Sequence, residues 1–412
     1  MTNKKLKILI LHFSSLNNYG SGMMGLITIQ ALVDRFGSEN LEISCDFNEE
    51  TSIEEIKKEL RTDVVLKRYT NAIPARLKSI NFKLYRRFLT LLYMLFYAEG
   101  KEFNRIIVLG GDDLSEYYSP YDAAFDIYNK LKSSFRTRVI LLGQSIGPFS
   151  HPLNKFAARW FLPHLNVYSR DTHCTEYMSK EFGVKLKQMA DLALLDLPLQ
   201  SNKEIESEIL TKYKLTKDEY FCVVVSGLQK DNFYCNDLET YLLRYKETIE
   251  VLSHEPLLVN KKICLLAHTF PPYADESVLV QKLSLLLDQS IAERVVVVKE
   301  RILQARARFI LGNGLFTLTA RMHPAVSTFQ MGKPAICLSY SPKYKGVIGE
   351  SIGRYDLVVE ANDSRLWMEG EIVDLVMQKY HYMMANYDSL CSEIRNSVSS
   401  QKQLVVKALN EI

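Results

Sequence analysis

The sequence predicts an α/β protein with parallel β-sheets. Short apolar runs alternate with longer helical patterns along the whole chain, and the runs are rich in Val, Ile and Leu without polar alternation. Strands of a parallel sheet have helices on both faces, so they read as continuous apolar runs. With 412 residues and 47% hydrophobic content, the chain is expected to form two domains.

The predicted strands fall into two groups. In the first half they are 7–13, 105–109, 139–143 and 166–169, and in the second half 220–226, 262–267, 294–298, 317–319 and 335–338. Segments between them, such as 23–36 and 152–161, are long enough for crossover helices.

A polar stretch at 200–218, rich in Lys and Glu, separates the two groups of strands. We therefore expect one domain over 1–200, a second over 201–365, and amphipathic helices over 366–412. These helices could cross back to the first domain, and the pattern alone leaves that crossing open.

Composition excludes several classes of protein. Lys and Arg total 51 against 48 Asp and Glu, a balance too even for a protein whose main partner is nucleic acid. The first apolar run is too short for a signal peptide, and no run is long enough to span a membrane, so we expect a cytoplasmic protein. The seven cysteines form no CxxC pair, and no cluster has metal-ligand spacing, so no metal or cofactor is expected.

Two glycine-containing segments follow predicted strands of the first half. In NNYGSG (17–22), Asn18 and Gly20 belong to a loop whose amides could receive an anion, or which simply needs glycine. In LGGDDL (109–114), Gly110 and Gly111 permit close approach of a ligand. The aspartates at 112 and 113 could bind sugar hydroxyls or a metal, and one of them could cap the following helix.

A third candidate combines GQSIGP (143–148) with SRD (169–171). Arg170 leaves a buried strand beside Asp171, which could hold its guanidinium as a fork for a carboxylate or phosphate. The alternative is an ordinary surface arginine.

The sharpest segment is TARMHP (319–324), followed by SYSPKYKG (339–346). Arg321 and His323 alternate on what we expect to be an extended segment, and Pro324 is expected to start a helix. Lys343 follows the next predicted strand, at a position equivalent to that of Arg321 and His323 after theirs. These residues predict an anion site with one group that titrates near neutrality.

The remaining histidines lie in segments with fewer neighbouring cationic residues. His268 also follows a predicted strand and is a candidate for lining the site. The others are interpreted as structural or surface residues: His12, His151, His164, His173, His254 and His381.

Basic residues also precede an aromatic-rich apolar stretch within 67–98. This pattern is typical of a peripheral contact with the inner membrane leaflet, and a core helix with a solvated basic flank is the alternative.

From Asn18 to Gly353 the chain resembles the polysaccharide pyruvyl transferases. The likeness rests on GGxxL at 110–114, SIGP at 145–148, SRD at 169–171, RxH at 321–323, GxP at 332–334 and YxxKxxG at 340–346. The chain departs from the family pattern at Ser21, where an acidic residue is common, and at Asp112, where a third glycine is usual.

The resemblance implies a GT-B-like architecture, with two Rossmann-like domains facing a central cleft. It also implies phosphoenolpyruvate as co-substrate and a lipid-linked capsular or exopolysaccharide unit, with a galactose-type sugar, as acceptor. The product would be a pyruvate ketal. The N-terminal domain would hold the acceptor and the C-terminal domain the donor.

The resemblance maps the family's donor-site arginine, its Arg-x-His pair and its later lysine onto Arg170, Arg321, His323 and Lys343, and the segments after the predicted strands supply the other candidates. The catalytic set would be His323, Arg321 and Lys343, and the donor would bind to Arg170, Arg321, Lys343, Ser145 and Gly147. The acceptor would contact Asn18, Gly20, Gly110, Gly111, Asp112, Asp113, His268 and Tyr340. The alternatives are a nucleotide-sugar glycosyltransferase with the same architecture and a non-catalytic carbohydrate-binding protein.

Overall fold

A computed structural model of the chain describes residues 5–70, 100–116, 122–228 and 233–412. These residues form two parallel sheets with helices, which confirms the predicted α/β class. The chain divides into two compact units. The N-terminal unit comprises Met1–Ser15, Met24–Asp191 and Lys407–Ile412, and the C-terminal unit comprises Leu16–Met23 and Leu192–Val406.

Within the described residues the N-terminal unit has a seven-stranded sheet of order β3-β2-β1-β4-β5-β6-β7. Its strands are β1 Leu6–Leu11, β2 Leu41–Cys45, β3 Val65–Arg68, β4 Arg105–Val108, β5 Arg138–Gln144, β6 Asn166–Ser169 and β7 Lys187–Gln188. Strand order reverses between β1 and β4, and such a switch point is where open α/β sheets bind ligands.

Helices cover this sheet, and they enclose a core to which Leu9, Val108 and Leu141 contribute. The described helices are α1 Tyr19–Phe36, α2 Thr51–Glu59, α3 Asp122–Ser134, α4 Pro152–Trp160 and α5 Thr172–Phe182. The first residues of α1, up to Met23, are counted with the C-terminal unit.

The described part of the C-terminal unit has a six-stranded sheet of order β10-β9-β8-β11-β12-β13, with its switch point between β8 and β11. The strands are β8 Tyr220–Val224, β9 Lys262–Leu266, β10 Val295–Val298, β11 Thr317–Thr319, β12 Ala335–Ser339 and β13 Val358–Glu360. The helices are α6 Lys203–Lys212, α7 Leu238–His254, α8 Glu276–Leu286, α9 Gln289–Ala292, α10 Gln304–Asn313, α11 Met322–Gln330, α12 Ser364–Met368, α13 Glu371–Ala385 and α14 Tyr387–Asn410.

The last residues of the chain belong to the N-terminal unit. There the Glu411 carboxylate accepts hydrogen bonds from the Tyr168 hydroxyl at 2.5 Å and from Lys187 Nζ at 3.0 Å.

Every predicted strand has a counterpart, but β2, β3, β7 and β13 were not predicted. Three of these four lie at sheet edges, and β3 is mostly exposed. An edge strand is covered less than a central one and tolerates polar residues, so the apolar run that identifies a central strand is missing.

Among the residues that the structure describes, no helix is long and apolar enough to cross a membrane. Most of the basic and aromatic segment 67–98 lies outside the described residues, because the description stops at 70 and resumes at 100.

Candidate active site

The switch point of the C-terminal unit carries Arg321 and His323. Arg321 follows β11 in an extended conformation, with φ −116° and ψ 139°, and helix α11 begins at Met322. His323 therefore lies in the first helical turn, so the prediction of an extended segment and of a helix starting at Pro324 was wrong. Proline is accepted in a first turn because its missing N–H would have no partner there, so it marked the helix start only approximately.

Glu276, which the sequence did not indicate, holds Arg321. The Nε of Arg321 lies 2.6 Å from Glu276 Oε1, and the carboxylate is fully buried. The same carboxylate accepts backbone N–H groups of Gly227 at 3.2 Å and His268 at 3.1 Å. Burial alone would lower the pKa of Arg321, but Glu276 raises it above its usual value. Arg321 is therefore a permanent cation in a fixed orientation.

Because Arg321 binds Glu276 through Nε, its two Nη nitrogens determine what else it can bind. Its two Nη nitrogens make no hydrogen bond to the residues that the structure describes, and its side chain is 15% exposed. Two parallel N–H groups are the geometry that Arg uses for a carboxylate or phosphate. Glu276 also neutralises one positive charge, so the site is less basic than the sequence predicted.

The ring of His323 packs directly against Gly20. A Cβ at Gly20 would lie 2.6 Å from His323 Cγ and 2.8 Å from Cε1, closer than real Cβ atoms approach other atoms. Gly20 lies in the first turn of α1, and its N–H donates to Asn18 Oδ1 at 3.0 Å. Asn18 therefore caps α1, and the Gly20 amide is not available for an anion.

Main-chain bonds attach this loop to the rest of the unit. Tyr19 N donates to His268 O at 3.3 Å, and Phe270 N donates to Asn17 O at 2.9 Å. These bonds hold Gly20 against the His323 ring.

His268 is buried in the same place, with 1% of its surface exposed. Burial, followed by the nearby charges of His323 and Arg321, lowers the pKa of His268 well below its usual range. Its ring is therefore neutral near neutral pH, and it packs edge-on against Tyr19 with centroids 5.1 Å apart. A role in binding the acceptor stays a prediction.

Lys343 follows β12, which pairs with β11 through Thr319 and Cys337. Its Nζ lies 4.4 Å from the centroid of the Tyr340 ring and hydrogen-bonds the Tyr340 hydroxyl. Tyr340 is among the groups that raise the pKa of Arg321. Participation of Lys343 in an anion site with Arg321 stays a prediction.

In the N-terminal unit Arg170 is almost fully buried. Its Nη1 lies 3.0 Å from Asp191 Oδ2, and its Nε donates to Ser145 Oγ at 2.8 Å. Asp171, the expected partner, instead caps α5 by accepting the N–H of Cys174 at 2.7 Å. Burial alone would lower the pKa of Arg170, but Asp191 raises it above its usual value. Donor binding by Arg170 stays a prediction.

The glycines after β4 and β5 serve close backbone packing. A Cβ at Gly110 would lie 2.6 Å from Leu142 O. Because Leu142 O is a main-chain atom, this overlap could be relieved only by moving the backbone. Gly147 has a φ of 75° and donates its N–H to Leu114 O at 2.8 Å. Ser145 N binds Gly111 O at 2.8 Å, so the two loops are attached to each other. Their contact with an acceptor stays a prediction.

The two aspartates of the loop after β4 interact with different residues. Asp112 is among the charges that raise the pKa of Arg170, and its carbonyl accepts the Ser115 hydroxyl at 2.5 Å. Asp113 binds His12, with Nδ1 and Oδ2 3.1 Å apart.

Comparison with known proteins identifies the family of the chain. A family profile described as Polysaccharide pyruvyl transferase matches residues 18–342, which include both loops and the Arg321–His323 segment. The chain belongs to the polysaccharide pyruvyl transferase family. It is therefore a transferase of polysaccharide biosynthesis. No curated protein sequence matches this pyruvyl transferase.

Solved structures of other enzymes share the fold of this pyruvyl transferase. The UDP-GlcNAc 2-epimerase from Neisseria meningitidis is 10% identical with a TM-score of 0.51, covering 98% of this chain and 100% of that one. A putative UDP-N-acetylglucosamine 2-epimerase from Listeria monocytogenes is 10% identical with a TM-score of 0.54, covering 95% and 90%. At this identity the likeness shows the fold alone, and it confirms the GT-B-like class.

The described residues of this pyruvyl transferase contain no group of three or more His, Cys, Asp or Glu placed to hold a metal ion. The expectation that neither metal nor cofactor takes part stays a prediction.

Proposed function

We propose that this pyruvyltransferase uses phosphoenolpyruvate to form a pyruvate ketal on a galactose-type sugar of a lipid-linked capsular or exopolysaccharide unit. One observation carries the proposal. Arg321 is held through Nε by buried Glu276, so its two Nη nitrogens can receive a planar anion beside His323. The family match supports the pyruvyl group and the polysaccharide.

Phosphoenolpyruvate carries a carboxylate and a phosphate, which need separate cations. Arg321 offers a two-pronged fork that matches the carboxylate, and Lys343 offers a compact charge on a flexible stem for the phosphate. The Lys343 ammonium lies over the Tyr340 ring in a cation–π contact.

His323 acts as the general acid in this proposal. A sugar hydroxyl oxygen bonds to C2 of phosphoenolpyruvate and loses its proton to solvent, while the C2–C3 double-bond electrons take a proton from His323, so C3 becomes a methyl group. His323 regains a proton from solvent. The C2–O bond to phosphate then breaks with its electron pair going to phosphate, and the second hydroxyl bonds to C2, closes the ketal and gives its proton to the departing phosphate. The sum is one donor and one diol giving one ketal and one phosphate.

The direct test uses the full chain with phosphoenolpyruvate and a panel of synthetic and lipid-linked galactosides. Mass spectrometry is expected to show one added pyruvate on a galactoside, with one phosphate released for each. The Arg321→Ala variant serves as the inactive control. Absence of pyruvate from every acceptor would contradict the proposal.

A ligand screen by thermal shift separates the alternatives. Stabilisation by phosphoenolpyruvate and not by UDP or a nucleotide sugar is expected. Stabilisation by a nucleotide sugar alone would favour a glycosyltransferase, and stabilisation by oligosaccharide alone would favour a carbohydrate-binding protein.

Membrane contact through 67–98 also stays a proposal, supported by the basic and aromatic composition of that segment. Co-sedimentation with anionic vesicles at low salt is the expected result. No binding under those conditions would contradict it.

A further inference from the structure

Helix α4 of the N-terminal unit exposes its largest apolar side chains. Its inward side includes the small residues Ala157 and Ala158, which belong to the buried core of the unit. Leu153, Phe156 and Trp160 are 51%, 52% and 59% exposed. The apolar residues of a surface helix normally face the core, so core packing does not account for these three side chains.

The exposed apolar surface continues onto α3. The ring of Phe161, directly after α4, has its centroid 5.3 Å from that of Phe156 and 5.9 Å from that of Tyr128. Phe125 lies one turn before Tyr128 and is exposed. Single exposed apolar residues are normal, whereas a contiguous patch marks an interaction site. The exposed side chains of this surface are called the α4 patch: Phe125, Leu153, Phe156 and Trp160.

Basic residues border the α4 patch. Lys155 and Arg159 are four positions apart, so they lie together on the exposed side of α4 next to the apolar residues. Within the described residues neither of them forms an ion pair with a carboxylate. Helices α3 and α4 together contain four Lys or Arg and two Asp, and α4 itself has no acidic residue. The surface is therefore both apolar and positively charged.

Hydrogen bonds fix the orientation of α4. The Glu116 carboxylate accepts the N–H groups of Ser150 and His151, each at 2.8 Å, and Nδ2 of Asn154 at 2.7 Å. Asn154 Oδ1 in turn accepts the N–H of Ala124 at 3.0 Å, which joins α4 to α3. The α4 patch is thus a preformed surface, and little ordering is needed when it binds a partner.

The charge of the α4 patch distinguishes between partners. In a symmetric dimer the same patch would meet its own copy, which would bring Lys155 and Arg159 against their equivalents. An anionic lipid surface instead attracts these cations. Trp and Phe are also the side chains that enter the interface between headgroups and acyl chains, beside Lys and Arg that reach lipid phosphates.

We propose that the α4 patch docks this protein on an anionic lipid bilayer. Phe156 and Trp160 enter the headgroup region, and Lys155 and Arg159 contact lipid phosphates. The docking surface is separate from the segment 67–98, and it does not depend on pyruvyl transfer. It supplies the two signals, apolar insertion and positive charge, that together hold a protein at a membrane surface.

The first test uses tryptophan fluorescence, because the chain has only two tryptophans. Trp160 is exposed, whereas Trp367 is 1% exposed and cannot respond to lipid directly. With vesicles of phosphatidylcholine and phosphatidylglycerol, the emission of Trp160 is expected to shift to shorter wavelength and to be protected from acrylamide. Vesicles of phosphatidylcholine alone should have much less effect. The Trp160→Phe variant measures the background from Trp367, which should not change.

The second test measures affinity for the same vesicles by co-sedimentation. Phe156→Gln with Trp160→Gln keeps the charge and is expected to bind at least about tenfold more weakly. Lys155→Gln and Arg159→Gln are each expected to weaken binding to anionic vesicles about fivefold. The matched control is Leu285→Gln on α8, since Leu285 is more exposed than any residue of the α4 patch and has no basic residue in its helical turn. All these side chains are exposed, so circular dichroism and thermal unfolding should stay as in the wild type.

Three results would overturn the proposal. One is no binding of the wild type to anionic vesicles. Another is co-sedimentation with Trp160 still fully quenched by acrylamide, which would assign docking to a different surface, such as 67–98. The third is a change in Trp160 emission with protein concentration in the absence of lipid, which would assign the α4 patch to a second copy of the chain. Neither phosphoenolpyruvate nor sugar is present in these measurements, so their outcome is independent of the proposed pyruvyl transfer.

Discussion

The two sheets place different chemistry at equivalent switch points. In the C-terminal unit a buried carboxylate, Glu276, holds a permanent cation, Arg321. In the N-terminal unit a half-exposed carboxylate, Asp113, holds a titratable ring, His12. A fixed cation suits a charged ligand, whereas a titratable ring can change its charge near neutral pH. The strand order alone therefore does not determine the chemistry.

The two pairs also differ in burial, and therefore in how much each contributes to the free energy of unfolding. Removing one partner of a buried ion pair costs about 3–5 kcal/mol, because the other charge stays uncompensated. An exposed pair contributes about 0.2–1 kcal/mol. The C-terminal pair is thus expected to contribute more to the free energy of unfolding than the N-terminal pair.

The largest expected effect follows Arg321→Ala. Glu276 would be left buried without its cation, so the free energy of unfolding should fall by about 3–5 kcal/mol and transfer should be abolished. Denaturant unfolding and the transfer assay measure the two effects.

A double variant, Arg321→Met with Glu276→Gln, separates stability from function. It has no uncompensated charge, but the amide oxygen of the introduced glutamine can replace only one of the two carboxylate oxygens that accept the N–H groups of Gly227 and His268. Part of the stability should therefore return without transfer. Return of transfer would show that Arg321 does not bind the donor.

His323→Ala is expected to lower turnover by about 10²–10⁴-fold while leaving the thermal shift by phosphoenolpyruvate largely intact. The reason is that the anion is held by Arg321 and Lys343, whereas the proton comes from His323. Loss of donor binding together with turnover would show that His323 is a binding group instead.

A smaller effect is expected for Gly20→Ala. Alanine in a helix normally stabilises by about 0.5–1 kcal/mol relative to glycine. Here the added Cβ would meet the His323 ring, so we expect roughly tenfold lower turnover and no gain in stability. Ser21→Ala, at the next position of the same helix, is the control and should behave as the wild type. Normal turnover with a gain in stability in Gly20→Ala would contradict the contact.

The smallest effect concerns pH. The pKa of His12 is raised in the fold, so its pair with Asp113 stabilises the fold below the ordinary histidine pKa of about 6.5, and this stability is lost as pH rises through the raised pKa. Asp113→Asn should therefore lower the free energy of unfolding by less than about 1 kcal/mol at acid pH and not at about pH 9. A difference that is the same at both pH values would contradict the pair.

The sequence by itself determined the α/β class, the central strands and the location of Arg321, His323 and Lys343 after adjacent strands. These properties are local, because a buried parallel strand needs a continuous apolar run and its polar followers then lie at one sheet edge.

Only the tertiary structure decided the partners. Glu276 lies 45 residues from Arg321, Asp191 lies 21 from Arg170, and Asp113 lies 101 from His12. No local pattern distinguishes these three carboxylates from others, since an acidic residue near a helix start or a strand end is usually exposed. The orientation of all three, and the burial of Glu276 and Asp191, depend on which strand ends the sheet order makes neighbours, and that order is a property of the whole fold.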